Sequence, residues 1–350
     1  MDIPFNPSRI GFSLDLEAEN LRADSVNKIL PKIELLGAHW AVIAAPKGRA
    51  IPEGVVRSLT KKGVEPVIRI PIDLGDLPTA ESFLYELKAY ANWGVEYVSF
   101  FKSPNLRSNW PSTGWTQKGL VSRFLDIFIP YARMAMQAGL KPIFPALEPG
   151  GDYWDTAFLR RSLEQLAERE EEEILASLVI GAKVSLNEHG IDWGSGGPER
   201  WPEAIPYQTP EGSEDHRGFR IFDWYNAISR AAIESVLPTM LFVSGKPNEM
   251  LKIAQRSAIA NEDGFSELIS VPKNVIAVHL ESLSPKADAW FDPSQKPFAS
   301  CQEWISWKTG RTEVQSEMSD AETLSLDPIL ELAEEKAIEA PTQEVIDMQS

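Results

Sequence analysis

The sequence predicts an α/β fold, a (β/α)8 TIM barrel, and three observations carry that prediction. Short apolar runs of strand length recur along the chain, helix-like stretches separate them, and Gly–apolar pairs stand just before several of the runs. Alternation of this kind builds right-handed βαβ units. Eight such units within about 300 residues favour a closed barrel over an open doubly wound sheet.

The predicted strands are Arg9–Leu16, His39–Ala45, Glu65–Ile72, Val95–Phe101, Leu140–Leu147, Val179–Leu186, Thr239–Gly245 and Asn274–Glu281. Ala41-Val-Ile-Ala-Ala45, Val67-Ile-Arg-Ile70 and Val275-Ile-Ala-Val278 are nearly continuous apolar runs, the pattern of parallel strands buried on both faces. Helices are predicted over Asp24–Leu36, Gly54–Lys62, Ala80–Trp93, Leu120–Ala138 and Thr156–Ser177. Asp24 suits a helix start, and the glycines before the strands suit helix C-caps. Two long segments, Asn187–Gly218 and Ser282–Glu303, follow the sixth and eighth strands and so belong to the barrel face where sites form. The barrel is expected over residues 1–310. Residues 311–350 are expected to be an acidic tail, disordered apart from one helix at Leu326–Ile338.

Composition narrows the function. The chain has 350 residues, of which 43% are hydrophobic and 24% charged, as in a soluble globular protein. Its formal charge of -17 argues against nucleic acid as a partner, and the tail, with eleven acids against Arg311 and Lys336, holds about half of it. Met1–Arg9 carries no signal-peptide pattern, and no apolar run approaches the roughly 18 residues that span a bilayer. The single cysteine, Cys301, excludes an internal disulfide and a cysteine-based zinc cluster. A cytoplasmic location is therefore expected, although a bacterial exported barrel without disulfides would read the same way. No glycine-rich phosphate loop stands at a strand-to-helix turn, since Gly194-Ser-Gly-Gly197 falls in a long loop, and no cofactor is expected.

Four motifs stand at or just after strand ends. The fourth strand runs into Lys102-Ser103-Pro104-Asn105, and the seventh ends Phe242-Val-Ser244-Gly245. The fifth continues as Ala146-Leu-Glu148-Pro-Gly-Gly-Asp152-Tyr-Trp154-Asp155, and Asn187-Glu188-His189 follows the sixth. Over roughly residues 9–310 this pattern resembles the clan A glycoside hydrolases, in particular a cellulase-like subgroup. In that clan an Asn-Glu-Pro-Asn motif carries the general acid/base and the seventh strand carries the nucleophilic Glu. The resemblance places the two on Ser103 and Ser244. Retaining hydrolysis needs one carboxyl to protonate the leaving oxygen and another, about 5 Å away, to attack the anomeric carbon. A serine hydroxyl is too weak an acid for the first task and an unactivated nucleophile for the second. The resemblance thus implies an altered hydrolase that binds a carbohydrate or polyol with little or no hydrolysis.

Two rivals stand beside it. Glu148, paired with Glu188 or Glu281, could supply unorthodox catalytic carboxylates; an inverting pair would sit roughly 6.5–9.5 Å apart. Alternatively the tail recruits a protein partner through Leu326, Ile329, Leu330 and Leu332, with the barrel as scaffold. Should the strand alignment slip by a residue or two, the seventh-strand position moves and Glu249 becomes a further candidate.

Asn105, Arg107, Asn109, Trp110, Asp152, Trp154, Asn187, His189, Trp193 and His279 are the expected ligand contacts, since sugar faces stack on aromatic rings and sugar hydroxyls pair with Asn, Asp and Arg. The bland alternative is that these side chains pack and pair within loops. His279 and Glu281 share one face of a strand, as metal ligands would, but no third ligand has defined spacing, and no metal is expected. Lys102 and Lys183 need partners if they enter a barrel interior. Pairing with Glu148 or Glu281 is the simpler expectation and Schiff-base chemistry the sharper one.

Overall fold

A computed structural model describes residues 9–16, 21–186, 188–258, 271–286 and 288–307. The chain divides into two compact units, Met1–Cys301 and Gln302–Ser350; the second is described over 302–307, which are helical. The acidic tail and its expected helix lie outside the described residues.

The first unit is the expected barrel. Its strands are β1 (Ile10–Leu14), β2 (Trp40–Ala44), β3 (Glu65–Ile70), β4 (Tyr97–Phe100), β5 (Lys141–Leu147), β6 (Val179–Val184), β7 (Thr239–Val243) and β8 (Val275–Leu283). All neighbours pair in parallel, and β8 closes on β1 with Gly11 opposite His279. β8 runs two residues beyond its expected end because Leu14 pairs with Leu283 and the Asp15 N–H donates to Leu283 O at 2.9 Å.

Around the strands lie α1 (Ala23–Leu36), α2 (Glu53–Thr60), α3 (Leu84–Asn92), α4 (Ser112–Trp115), α5 (Leu120–Gln137), α6 (Asp155–Glu168), α7 (Glu172–Ser177), α8 (Gly197–Arg200), α9 (Ile221–Ile233) and α10 (Pro247–Ala258). The Gly–apolar pairs have a backbone reason. Gly37 and Gly139 end α1 and α5 at φ 64° and 89°, a region that side chains avoid, and hand the chain on to β2 and β5. Among the described residues no helix is long and apolar enough to cross a membrane.

Inside the barrel, Trp40, Val42, Val67, Tyr97, Ile143, Val179, Met240 and Ala277 form one apolar cluster. Removing each of these larger side chains from water contributes roughly 1.5–3 kcal/mol. Side chains on a strand share a face every second residue. Following that parity toward the C-terminal ends, Val67 leads to Arg69, Val179 through Gly181 to Lys183, Met240 through Phe242 to Ser244, and Ala277 through His279 to Glu281. The interior is therefore apolar low in the barrel and polar at the mouth.

Candidate active site

A cavity of about 450 Å³ opens among the C-terminal strand ends. Ser13 and Asp15 reach it from β1, Arg69 from β3, Glu148 from β5, Lys183 and Ser185 from β6, Ser244 from β7, and Glu281 and Ser282 from β8. Phe242 adds an apolar surface, and Arg217 and Gly218 close one side from the long loop after β6.

Two local devices aim Glu148. Pro145 has no N–H for the ladder, and the β5–β6 register shifts between Phe144 and Leu147, which turns the strand end. Asn105, fully buried, then clamps the following peptides: its Nδ2 donates to Glu148 O at 2.8 Å and to Tyr153 O at 3.0 Å, while the Glu148 N–H donates to its Oδ1 at 2.9 Å. So held, Glu148 accepts a 2.6 Å bond at Oε2 from Lys183 Nζ, with the two side chains 42% and 41% exposed.

Opposite this pair the polar groups are uncommitted. Among the described residues the side chains of Asp15, Arg69, Ser244 and Glu281 make no hydrogen bond or ion pair. Burial lowers the pKa of Arg69, and the nearby charge of Glu281 partly offsets that.

The loop that carries Arg217 is pinned from below. Asp155, fully buried, accepts from Gly150 N at 2.8 Å and Tyr225 Oη at 2.9 Å, and His216 Nε2 lies 2.7 Å from its Oδ1. Burial works against the charge of Asp215, but bonds from Arg217, Thr209 and Trp193 outweigh it and hold that carboxyl well below the ordinary range. Arg217 donates to Asp215 Oδ2 through Nε at 2.8 Å and lies over Trp154, 5.9 Å from the ring centroid.

Of the residues expected from sequence, Glu148, Ser244 and Glu281 meet in this cavity. Ser103 does not line it. Phe101 has φ 66°, a strained setting for an aromatic residue, which swings its ring onto Tyr131 of α5 beside Phe100. Alternation breaks there, and the following residues run along the rim, so that Ser103, 3% exposed, donates its hydroxyl to Ala146 O at 2.8 Å. Asn109 Nδ2 donates to Ser103 O at 2.7 Å, Trp110 Nε1 to Pro104 O at 2.7 Å, and the Arg107 N–H to Asp152 at 2.8 Å. These side chains brace the rim loops, with Arg107 exposed.

Trp154 is buried against Tyr207 and His216, behind Arg217. His189 stacks on Trp193 at 4.0 Å, and Trp193 lines a separate groove with Asp192, Arg200 and Glu214. Glu188 is exposed at φ 68°, and Asn187 lies outside the described residues. His279 is fully buried below the mouth, between Trp40 and Phe242, with both ring nitrogens unpartnered among the described residues; burial and the charge of Arg69 lower its pKa to about 3. Glu249 sits on α10, its Oε2 2.8 Å from where a Cβ on Gly245 would stand.

Sequence reasoning missed Arg69 and Arg217 as cavity residues. Arg69 carried a signal, a lone charge with the parity of Val67 near a strand end. Arg217 lies in an irregular loop and carried none.

Fold and cavity define a (β/α)8 barrel with a polar, charge-lined mouth. The chain matches no family model, and it matches no curated protein. Among solved structures it is similar to D-psicose 3-epimerase from Clostridium cellulolyticum H10, at 10% identity and TM-score 0.45, over 85% of this chain and 97% of that one. It is also similar to a GH128 (subgroup II) endo-β-1,3-glucanase from Sorangium cellulosum, at 13% identity and TM-score 0.43, over 85% of this chain and 98% of that one. A third is Bacteroides uniformis β-glucuronidase 2, at 9% identity and TM-score 0.48, over 85% of this chain and 34% of that one. The resemblance is weak and scattered over different enzymes.

Proposed function

We propose that this barrel binds a carbohydrate or related polyol in its mouth cavity and does not hydrolyse glycosides by the retaining route. The carrying observation is the cavity lining: Asp15, Arg69, Ser244 and Glu281 present donors and acceptors that are uncommitted among the described residues, around a space within the range of small-molecule clefts. Each sugar hydroxyl both donates and accepts, so carboxylates, guanidinium and serine hydroxyls together suit it. Ser244 offers a hydroxyl with no base hydrogen-bonded to it among the described residues, which leaves it unactivated as a nucleophile.

Titration calorimetry of the full chain against neutral sugars, oligosaccharides and alditols, beside an aryl-glycoside hydrolysis panel, tests this reading. Saturable binding without turnover supports it; absence of binding across the panel sinks it. A second reading draws on the presence of Glu148 and Glu281 in one cavity: an active glycosidase using both carboxylates. Turnover in the wild type that disappears in Glu148→Gln and in Glu281→Gln would establish that reading instead.

A further inference from the structure

We propose that Lys183 is a carbonyl-capturing nucleophile, which condenses with an aldehyde or ketone ligand, such as the open-chain form of a reducing sugar, to give an iminium. The inference rests on the reading that the mouth cavity takes a polyol, and it adds a covalent step to that reading.

The geometry has the three parts that an activated nucleophile requires. The nucleophile is an amine on the inner wall, reaching the cavity from β6. A base lies within hydrogen-bond reach, at 2.6 Å from Nζ to Glu148 Oε2. A third group orients the base: Asn105 grips the Glu148 peptide at both its N–H and its C=O. Lysine whose only task is an ion pair needs neither a doubly clamped partner nor a place beside an open volume. A further guanidinium, Arg69, makes no hydrogen bond among the described residues and faces the same space, where it can hold hydroxyls or an oxygen that gains negative charge.

The step balances without an oxidant or a reductant. Glu148 takes a proton from the ammonium, and the free amine attacks the carbonyl carbon as the C=O π bond breaks. The carboxyl returns that proton to the carbonyl oxygen, giving a hydroxyl. Glu148 then takes a second proton from the positively charged nitrogen of the adduct and delivers it to the hydroxyl, which leaves as water while the freed nitrogen lone pair forms C=N⁺. One N–H of the original ammonium remains on the iminium, and one water is released.

The test is reductive trapping on the full chain. Protein is incubated with glycolaldehyde, dihydroxyacetone or D-ribose, sodium cyanoborohydride is added, and labelled lysines are mapped by peptide mass spectrometry. Lys183 is expected to be modified at least about tenfold faster than exposed lysines such as Lys118, and saturably in ligand. Sorbitol, which has no carbonyl, is expected to compete. Glu148→Gln should slow labelling of Lys183 by about tenfold or more while other lysines are unchanged. Labelling of Lys183 no faster than of Lys118 overturns the proposal on the wild-type protein alone, whatever the variants do. If sorbitol still binds by calorimetry in that case, the polyol reading stands and only the covalent step falls. If neither sorbitol nor any sugar binds, both fall.

Discussion

Asn105 and Glu148 are joined by a reciprocal pair of hydrogen bonds, Nδ2 to O at 2.8 Å and N–H to Oδ1 at 2.9 Å, which locks the rim after β4 to the end of β5. Asn105→Ala removes the partner of the Glu148 N–H and of Tyr153 O, while Glu148 O keeps the Gly151 N–H at 3.0 Å. We expect a loss of about 2–4 kcal/mol in urea unfolding, and polyol affinity falling with it, because Glu148 loses its setting.

The two serines that resemblance groups together should behave differently. Ser244 lines open space, so Ser244→Glu is expected to cost under about 1 kcal/mol. Ser103 is buried and bonded to Ala146 O, so Ser103→Glu should cost about 2–5 kcal/mol. Equal unfolding midpoints for the two variants would contradict this placement.

Gly11 faces Trp40 at the closure of the barrel. A Cβ there would stand 2.5 Å from Trp40 Cβ and 2.8 Å from Trp40 O. Gly11→Ala is therefore expected to lower stability by about 3 kcal/mol, read from thermal or chemical unfolding.

His279 predicts the acid limb of the stability curve. Its folded pKa, about 3, lies below the ordinary 6.5. Between those values the unfolded chain binds a proton that the folded one refuses, so this residue lowers stability as pH falls from 6.5 toward 3. His279→Leu removes the effect and two unpartnered nitrogens. Its unfolding free energy should match or exceed the wild type at pH 7 and decline less steeply below pH 6, roughly one unit being enough to see the difference.

Asp155→Asn tests the anchoring of the long loop. The carboxylate receives bonds from Gly150 and Tyr225 and lies against His216. We expect a loss of about 2–4 kcal/mol and weaker ligand binding, since Arg217 adjoins His216; unchanged calorimetric affinity would show that the loop is held by other means.

The barrel was legible because burial on both faces writes strands as apolar runs, and the glycines that end helices mark where the next strand begins. Glu148, Ser244 and Glu281 were legible as strand-end residues. Asn105 reads as a ligand contact from sequence, yet its partners are backbone atoms 43 and 48 residues away, a relation no local pattern records. Ser103 is displaced from the mouth by one left-handed residue, Phe101, where a bulky ring gives no warning of such a conformation. The tryptophans divide in the same way: Trp110 and Trp154 are buried supports, and stacking value alone does not separate a support from a surface.

The change from apolar to polar along the inward face of each strand also bears on inheritance. The layer built on Trp40, Val67 and Met240 and the ladder beneath it carry the fold, while Ser13, Arg69, Ser244 and Glu281 take no side-chain part in either. Replacement at those four positions is therefore nearly invisible to selection for folding. Exchanges at those four positions are expected to change the chemistry of the mouth in small steps while the unfolding free energy stays nearly constant.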